Sequence, residues 1–138
     1  MLFSKVMKGL LMMSIALGLM ISCSEQQRKR VQSVRAEGAP AYLYKILSVD
    51  DWANSCKRVH LSKMDKDFIH FSTEEQLDRI VSKYWADVSE YVVLKVETEK
   101  LPGDLRFEAN PGGASKYYHL YNGSIPLGAI VEMKVYNK

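Results

Sequence analysis

Residues 91–98 read YVVLKVET, and this stretch constrains the fold more than any other in the chain. Val92, Leu94 and Val96 fall on one side of an extended backbone and Lys95 and Glu97 on the other. That is the period-two pattern of a strand with one buried face. The same alternation returns in shorter runs: YLYKIL from Tyr42, then RVHLS, FIHF, LRFEA and YYHLY. It closes the chain in AIVEMKVY, where Val131, Met133 and Val135 share a side. NPGGASK reads as a loop with proline and glycine at its centre, and NGSIPLG is turn-rich. Helical spacing is scarce. Leu77, Ile80, Val81 and Tyr84 recur at three- and four-residue intervals, which predicts an amphipathic helix from Thr73 to about Trp85. Ser72 with Glu75, and Thr73 with Gln76, both match a capping box at its start. Ser48 is placed to cap a shorter helix over VDDWANSC, whose first-turn acids suit the helix dipole. Strand, helix, strand, strand, helix, then several strands is an order that excludes an alternating doubly wound fold. It predicts an α+β domain with much antiparallel pairing.

Everything before Tyr42 has a different character. MLFSKVMK is a short positive region, and GLLMMSIALGLMI is an uncharged apolar run of 13 residues. A spanning helix needs about 20 residues, so the run fits a signal peptide over residues 1–22 better than a membrane anchor. LMISC, Leu19 to Cys23, is similar to the bacterial lipobox, in which the cysteine is lipidated and becomes the new N-terminus. The expectation is therefore a lipoprotein held to a membrane through Cys23, in the bacterial cell envelope and on the outer membrane rather than the inner. Residues 24–41 lack apolar periodicity and read as a flexible tether, which leaves residues 42–138 as one domain. With Cys23 lipidated, Cys56 is the remaining thiol, with a packing role expected on the short helix.

From Tyr42 onward there are 13 lysines and arginines against 14 acids, a net charge of −1, so the formal +3 of the chain belongs to the leader and tether. A nucleic-acid-binding domain needs a basic face to neutralise phosphates, and none is expected here. There is no HExxH, no Cys/His cluster with zinc spacing, no GxSxG elbow and no phosphate loop ending in GK[ST].

Three short strands each offer two polar groups at i and i+2, on the side away from their apolar residues: His70 and Ser72, Arg106 and Glu108, His119 and Tyr121. A wet sheet face explains polar residues in general, and it suits Lys95 and Glu97. It suits the histidines less well, since two of the three in the chain fall in these pairs beside a hydroxyl. Capping accounts for Ser72, Thr73 and Glu75 and leaves His70 unexplained. Whether His70 shares a cleft with Glu108 and His119 is the question the sequence poses. If the two histidines and Glu108 converge they have the donors for a metal, but no spacing demands one.

Tyr44-Lys45-Ile46, Asp51-Trp52, FIHFSTEEQL, Arg106-Phe107-Glu108 and His119-Leu120-Tyr121 with Pro126 occur in this order. Together they resemble domain-of-unknown-function family 952 over residues 42–138. The resemblance implies an ADP-ribosyltransferase-like fold, a small split, mostly antiparallel sheet with two short helices around a nicotinamide-nucleotide cleft. It implies catalytic roles for His70, Glu108 and His119, with Lys45, Ser72, Thr73, Arg106 and Tyr121 contacting a ligand such as NAD or a related nucleotide. Many members carry histidine where Lys45 stands. Glu108 would stabilise an oxocarbenium-like ribose, and Tyr121 would stack on a planar base. The second reading is a non-catalytic module of the envelope that uses the same cleft for a small ligand or peptide.

Overall fold

The computed structural model describes residues 35–138. The leader, Cys23 and residues 24–34 of the tether lie outside the described residues. The strands are β1 Tyr42–Ser48, β2 Arg58–Val59, β3 Ile69–Phe71, β4 Glu90–Glu97, β5 Asp104–Ala109, β6 Lys116–Tyr121, β7 Ile125–Pro126 and β8 Ile130–Asn137. The helices are α1 Val49–Ala53 and α2 Leu77–Tyr84, with single 3-10 turns at Glu74–Gln76, Thr98–Lys100 and Leu127–Ala129. The domain is α+β, and every strand pairing is antiparallel. Among the described residues no helix is long and apolar enough to cross a membrane.

The strands form two three-stranded sheets, β1-β4-β8 and β3-β6-β5, and a short β2-β7 ribbon. Alternation along β1 and β4 explains how the first sheet is packed. Leu43, Leu47, Val92, Leu94 and Val96 turn inward to meet Ile69, Phe71, Leu105, Tyr118 and Leu120 of the second sheet. Tyr44, Ile46, Tyr91 and Val93 point to the other face, where Leu77, Ile80 and Val81 of α2 cover them together with Trp85. Both faces of β1 and β4 are therefore dry, which accounts for the unbroken YVVL run. Ala36 and Ala39 pack against the inner core, and Arg35 donates to the Thr98 carbonyl at 3.3 Å.

Several local expectations hold and some change. Ser48 Oγ caps α1, accepting from the Asp51 amide at 3.0 Å. The second helix starts as a 3-10 turn, with the Thr73 amide donating to Gln76 Oε1 at 3.0 Å. RVHLS contributes only two strand residues, Arg58 and Val59, paired with Pro126 and Ile125. Cys56 is corrected: α1 ends at Ala53, and the thiol lies beyond it, exposed, so it packs nothing.

The two sheets are joined by one bridge. The Tyr44 and Ser72 amides each donate to the other residue's carbonyl at 2.8 Å. Beyond it β1 and β3 separate, and that split positions the site.

Candidate functional site

Register on the second sheet brings the expected residues to one face. His70 is directly opposite His119, and His119 is directly opposite Arg106. Tyr121 and Glu108 follow two residues along from His119 and Arg106, so alternation puts all five on the side away from Ile69, Phe71 and Leu120. The two imidazoles meet edge to face with centroids 5.1 Å apart. Each ring is oriented by its own carboxylate.

The first pair is Asp65 and His70. His70 Nδ1 lies 2.8 Å from Asp65 Oδ1, and the His70 amide donates to the same oxygen at 3.2 Å. Lys45 Nζ reaches Asp65 Oδ2 at 2.7 Å and Oδ1 at 2.9 Å, and Ser62 donates to Oδ2 from both its amide and its hydroxyl at 2.9 Å. Burial alone would raise the Asp65 pKa. The hydrogen bond from His70, the charge and hydrogen bond of Lys45 and the Ser62 amide outweigh it, and the carboxyl is held well below the usual range. Burial lowers the Lys45 pKa, opposed chiefly by Asp65. Lys45 lies on the inward face of β1 between Leu43 and Leu47, a position that cannot hold an ammonium without such a counter-ion. A carboxylate bound to Nδ1 fixes the His70 tautomer and leaves Nε2 for a ligand.

The second pair is Glu108 and His119. His119 Nδ1 lies 3.0 Å from Glu108 Oε1, and the Tyr121 hydroxyl donates to that same oxygen. Phe68 stacks on the His119 ring at 4.0 Å, so the side chain is fully buried. Burial lowers the His119 pKa, with Glu108 opposing, which favours the neutral ring; opposite a carboxylate, Nδ1 is the nitrogen suited to donate. Nε2 is buried and has no partner among the described residues. The hydrogen bond from Tyr121, then that from His119, lowers the Glu108 pKa, and the same Glu108 contact raises that of Tyr121. The Arg106 guanidinium covers the Tyr121 ring at 4.3 Å from its centroid, which occupies the face a stacked base would need.

A cleft of about 190 Å³ opens where β1 and β3 separate. Tyr44, Lys45 and Ile46 form one wall, and His70, Phe71 and Ser72 the other. Ile80, Tyr84 and Trp85 close it from α2, with Met64, Asp65, Asn110 and Tyr117 at its ends. A second cleft of about 260 Å³ shares Tyr84, Asn110 and Tyr117 with the first. It is lined further by Arg79, Lys83 and the loop 111–115. Arg79 donates to Tyr117 Oη at 2.9 Å and to Ser115 Oγ at 3.4 Å, which ties the loop to α2. The Asn110 Oδ1 is buried where the two clefts meet and has no partner among the described residues.

Of the eight residues expected at the site, His70, Lys45 and Ser72 line the first cleft. His119, Glu108, Tyr121 and Arg106 form a network behind His70, and none of the four lines either cleft. Thr73 starts the 3-10 turn before α2 and also lines neither. Asp65, Phe68 and Asn110 escaped sequence reading. Asp65 lies in a segment with no periodicity, and the one signal for it is a lysine on the apolar side of β1; Phe68 opens the FIHF run, on the side of His70. Among the described residues no three of His, Cys, Asp and Glu are grouped to hold a metal ion.

The family model described as protein of unknown function (DUF952) matches residues 46–133. The crystal structure of protein CC0527 from Caulobacter crescentus is 32% identical, with 68% of this chain and 84% of that chain covered and a TM-score of 0.60. Its solution NMR structure is similar to this chain at 31% identity, with coverage of 69% and 84% and a TM-score of 0.59. Comparison with curated proteins gives no match.

Proposed function

The chain belongs to the DUF952 family, and from that premise we propose that its domain is a nucleotide-binding module with an ADP-ribosyltransferase-like cleft. The planar ring, nicotinamide or a close relative, enters between β1 and β3, and the phosphates lie toward Arg79 and Lys83. The observation that carries this reading is the pair of adjoining clefts. One is walled by Tyr44, Tyr84, Trp85 and Tyr117, with an oriented imidazole at its edge; the other holds two cations beside a glycine-containing loop. Aromatic walls favour a planar ring, and cations favour phosphate. His70 Nε2 hydrogen-bonds a ribose hydroxyl or the ring's substituent. The unpartnered Asn110 Oδ1 accepts from an amide or hydroxyl at the junction.

Binding is favoured over cleavage of the glycosidic bond because of where Glu108 sits. A carboxylate that stabilises an oxocarbenium-like ribose must face it. Glu108 instead holds His119 and Tyr121, on a strand that β6 separates from β3. In this reading Glu108 and His119 are positioning residues that fix the floor beneath His70. The leader suggests that the module is carried on an envelope lipoprotein, lipidated at Cys23.

Titration of the chain with NAD, followed by calorimetry and histidine NMR, tests the proposal. A shift of the His70 ring resonances is expected, together with loss of binding in His70→Ala. Arg79→Ala should weaken NAD by roughly tenfold and leave nicotinamide alone unchanged. Glu108→Gln should keep binding, and no nicotinamide should be released. Absence of heat and of shifts at millimolar NAD would sink the reading. Mass spectrometry of the membrane fraction tests the anchor: an unmodified N-terminus at Cys23 would remove it.

A further inference from the structure

β8 is the outer strand of the β1-β4-β8 sheet, and among the described residues nothing pairs with its free edge. It is eight residues long, which is long for an open edge, and such edges invite a further strand. Its inward-facing row is not covered as the rows on β1 and β4 are. Met133 and Val135 are 43% and 48% exposed, although they lie opposite the buried Leu94 and Val92; Val131, 47% exposed, stands in a bulge of the ladder. The apolar face of the sheet thus runs out to its edge and stops there.

The sequence of β8 is its own complement. Laid antiparallel on a second copy about Met133, it sets Met133 opposite Met133 and Val131 opposite Val135. Glu132 of each copy then stands opposite Lys134 of the other; beyond Val131 the strand is bulged and the regular match ends. Around Met133 apolar meets apolar, and both charged positions meet the opposite charge. Glu132 and Lys134 already lie on one face, 2.9 Å apart within the chain and well exposed, so exchanging partners needs no change of face. Edges are guarded against self-pairing by charges, proline or bulges; here the bulge lies at one end of β8, and the charges at 132 and 134 attract across the two-fold. An isologous contact of this kind closes on itself and stops at two copies.

We propose that the protein self-associates through β8, forming a continuous six-stranded sheet from two copies with Met133 on the two-fold axis. The occupant of this edge is a second copy of the chain. This inference is independent of the nucleotide reading.

Charge exchange in the full chain, held in mild detergent and followed by sedimentation equilibrium, tests it. Wild type is expected to dimerise. Lys134→Glu opposes acid to acid at two places and should weaken the dimer at least about tenfold. The double exchange Glu132→Lys with Lys134→Glu restores the complement and should restore the dimer. Met133→Cys should give a disulfide-linked dimer whose mass-mapped bond joins residue 133 to itself, because directly opposed β-carbons lie about 4.5–5.5 Å apart. A monomeric wild type overturns the proposal. If β8 amides are nevertheless protected from exchange, another part of the chain covers the edge. A dimer that survives Lys134→Glu, or fails to return in the double exchange, overturns it as well.

Discussion

Asp65→Asn isolates what the buried ion pair does. The side chains of Lys45 and Asp65 are 3% and 0% exposed, so solvent does not screen them. Removing one member of a buried pair costs about 3–5 kcal/mol, mostly because the other charge stays behind unpaired. Asparagine keeps one oxygen for Ser62 or His70, which places the loss near the lower end, about 3 kcal/mol. For a domain of this size that lowers Tm by about 12–24 °C. The pH dependence identifies the cause. Burial already holds the Lys45 pKa below 10.5 in the folded state, and without Asp65 it falls further. A folded value below the unfolded one means that the unfolded chain binds more protons, so stability rises as pH climbs through the folded value toward 10.5. In wild type this rise begins higher; in the variant it begins lower, so the deficit shrinks as pH rises toward 10.5. Urea melts at three pH values across that window measure it. A deficit under about 1 kcal/mol, or one that does not change with pH, refutes the assignment of Lys45 as a charge held in place by Asp65.

Three further outcomes follow from other sites. His119 has its pKa lowered by burial, so the stability tied to its neutral form is complete above about pH 6.5 and is lost as pH falls through the folded value. His119→Asn should flatten this part of the acid-unfolding profile while costing about 1–3 kcal/mol at neutral pH, read by urea titration. Gly103 adopts φ +111, and an added β-carbon would lie 2.5 Å from the Tyr121 carbonyl oxygen and 2.9 Å from Gly123 Cα. Gly103→Ala should therefore lose more than about 2 kcal/mol in the same assay, and an unchanged midpoint would show that the turn can relax. Cys56 is exposed, so it should react with a thiol reagent without denaturant, and Cys56→Ser should stay within about 0.5 kcal/mol of wild type.

What the sequence made legible was periodicity. The pattern in YVVLKVET survives as β4, and alternation in FIHF, LRFEA and YYHLY set His70, Glu108 and His119 each on the polar side of its own strand; that the three sides form one face comes from the pairing of β3, β6 and β5. Alternation could not say which of them solvent reaches. His119 and His70 occupy equivalent places on neighbouring strands, yet one is buried under Phe68 and the other lines a cleft. That difference comes from a residue before β3 whose side chain folds back over the sheet. Asp65 was hidden because segments without a period carry no directional signal. A lysine between Leu43 and Leu47 called for an acid but could not locate it. Capping chemistry was read correctly for Ser48. It was over-supplied at Ser72, whose backbone instead forms the bridge to Tyr44.

The strand orders β1-β4-β8 and β3-β6-β5 have a kinetic meaning. Only β5 and β6 are neighbours in both sequence and space; β1 must wait for β4, β3 for β6 and β2 for β7. As the polypeptide emerges, its first strands have no partner until more than forty residues later, as with Tyr42 and Glu97. Closing such loops before any pairing rewards them slows folding, and chains dominated by distant pairings take about milliseconds to seconds. The β5–β6 hairpin is the natural nucleus, and β8, last in sequence, completes the first sheet. A newly made chain therefore stays unfolded for a while, and stopped-flow refolding should show it as a slow phase that mutations in β5 and β6 affect most.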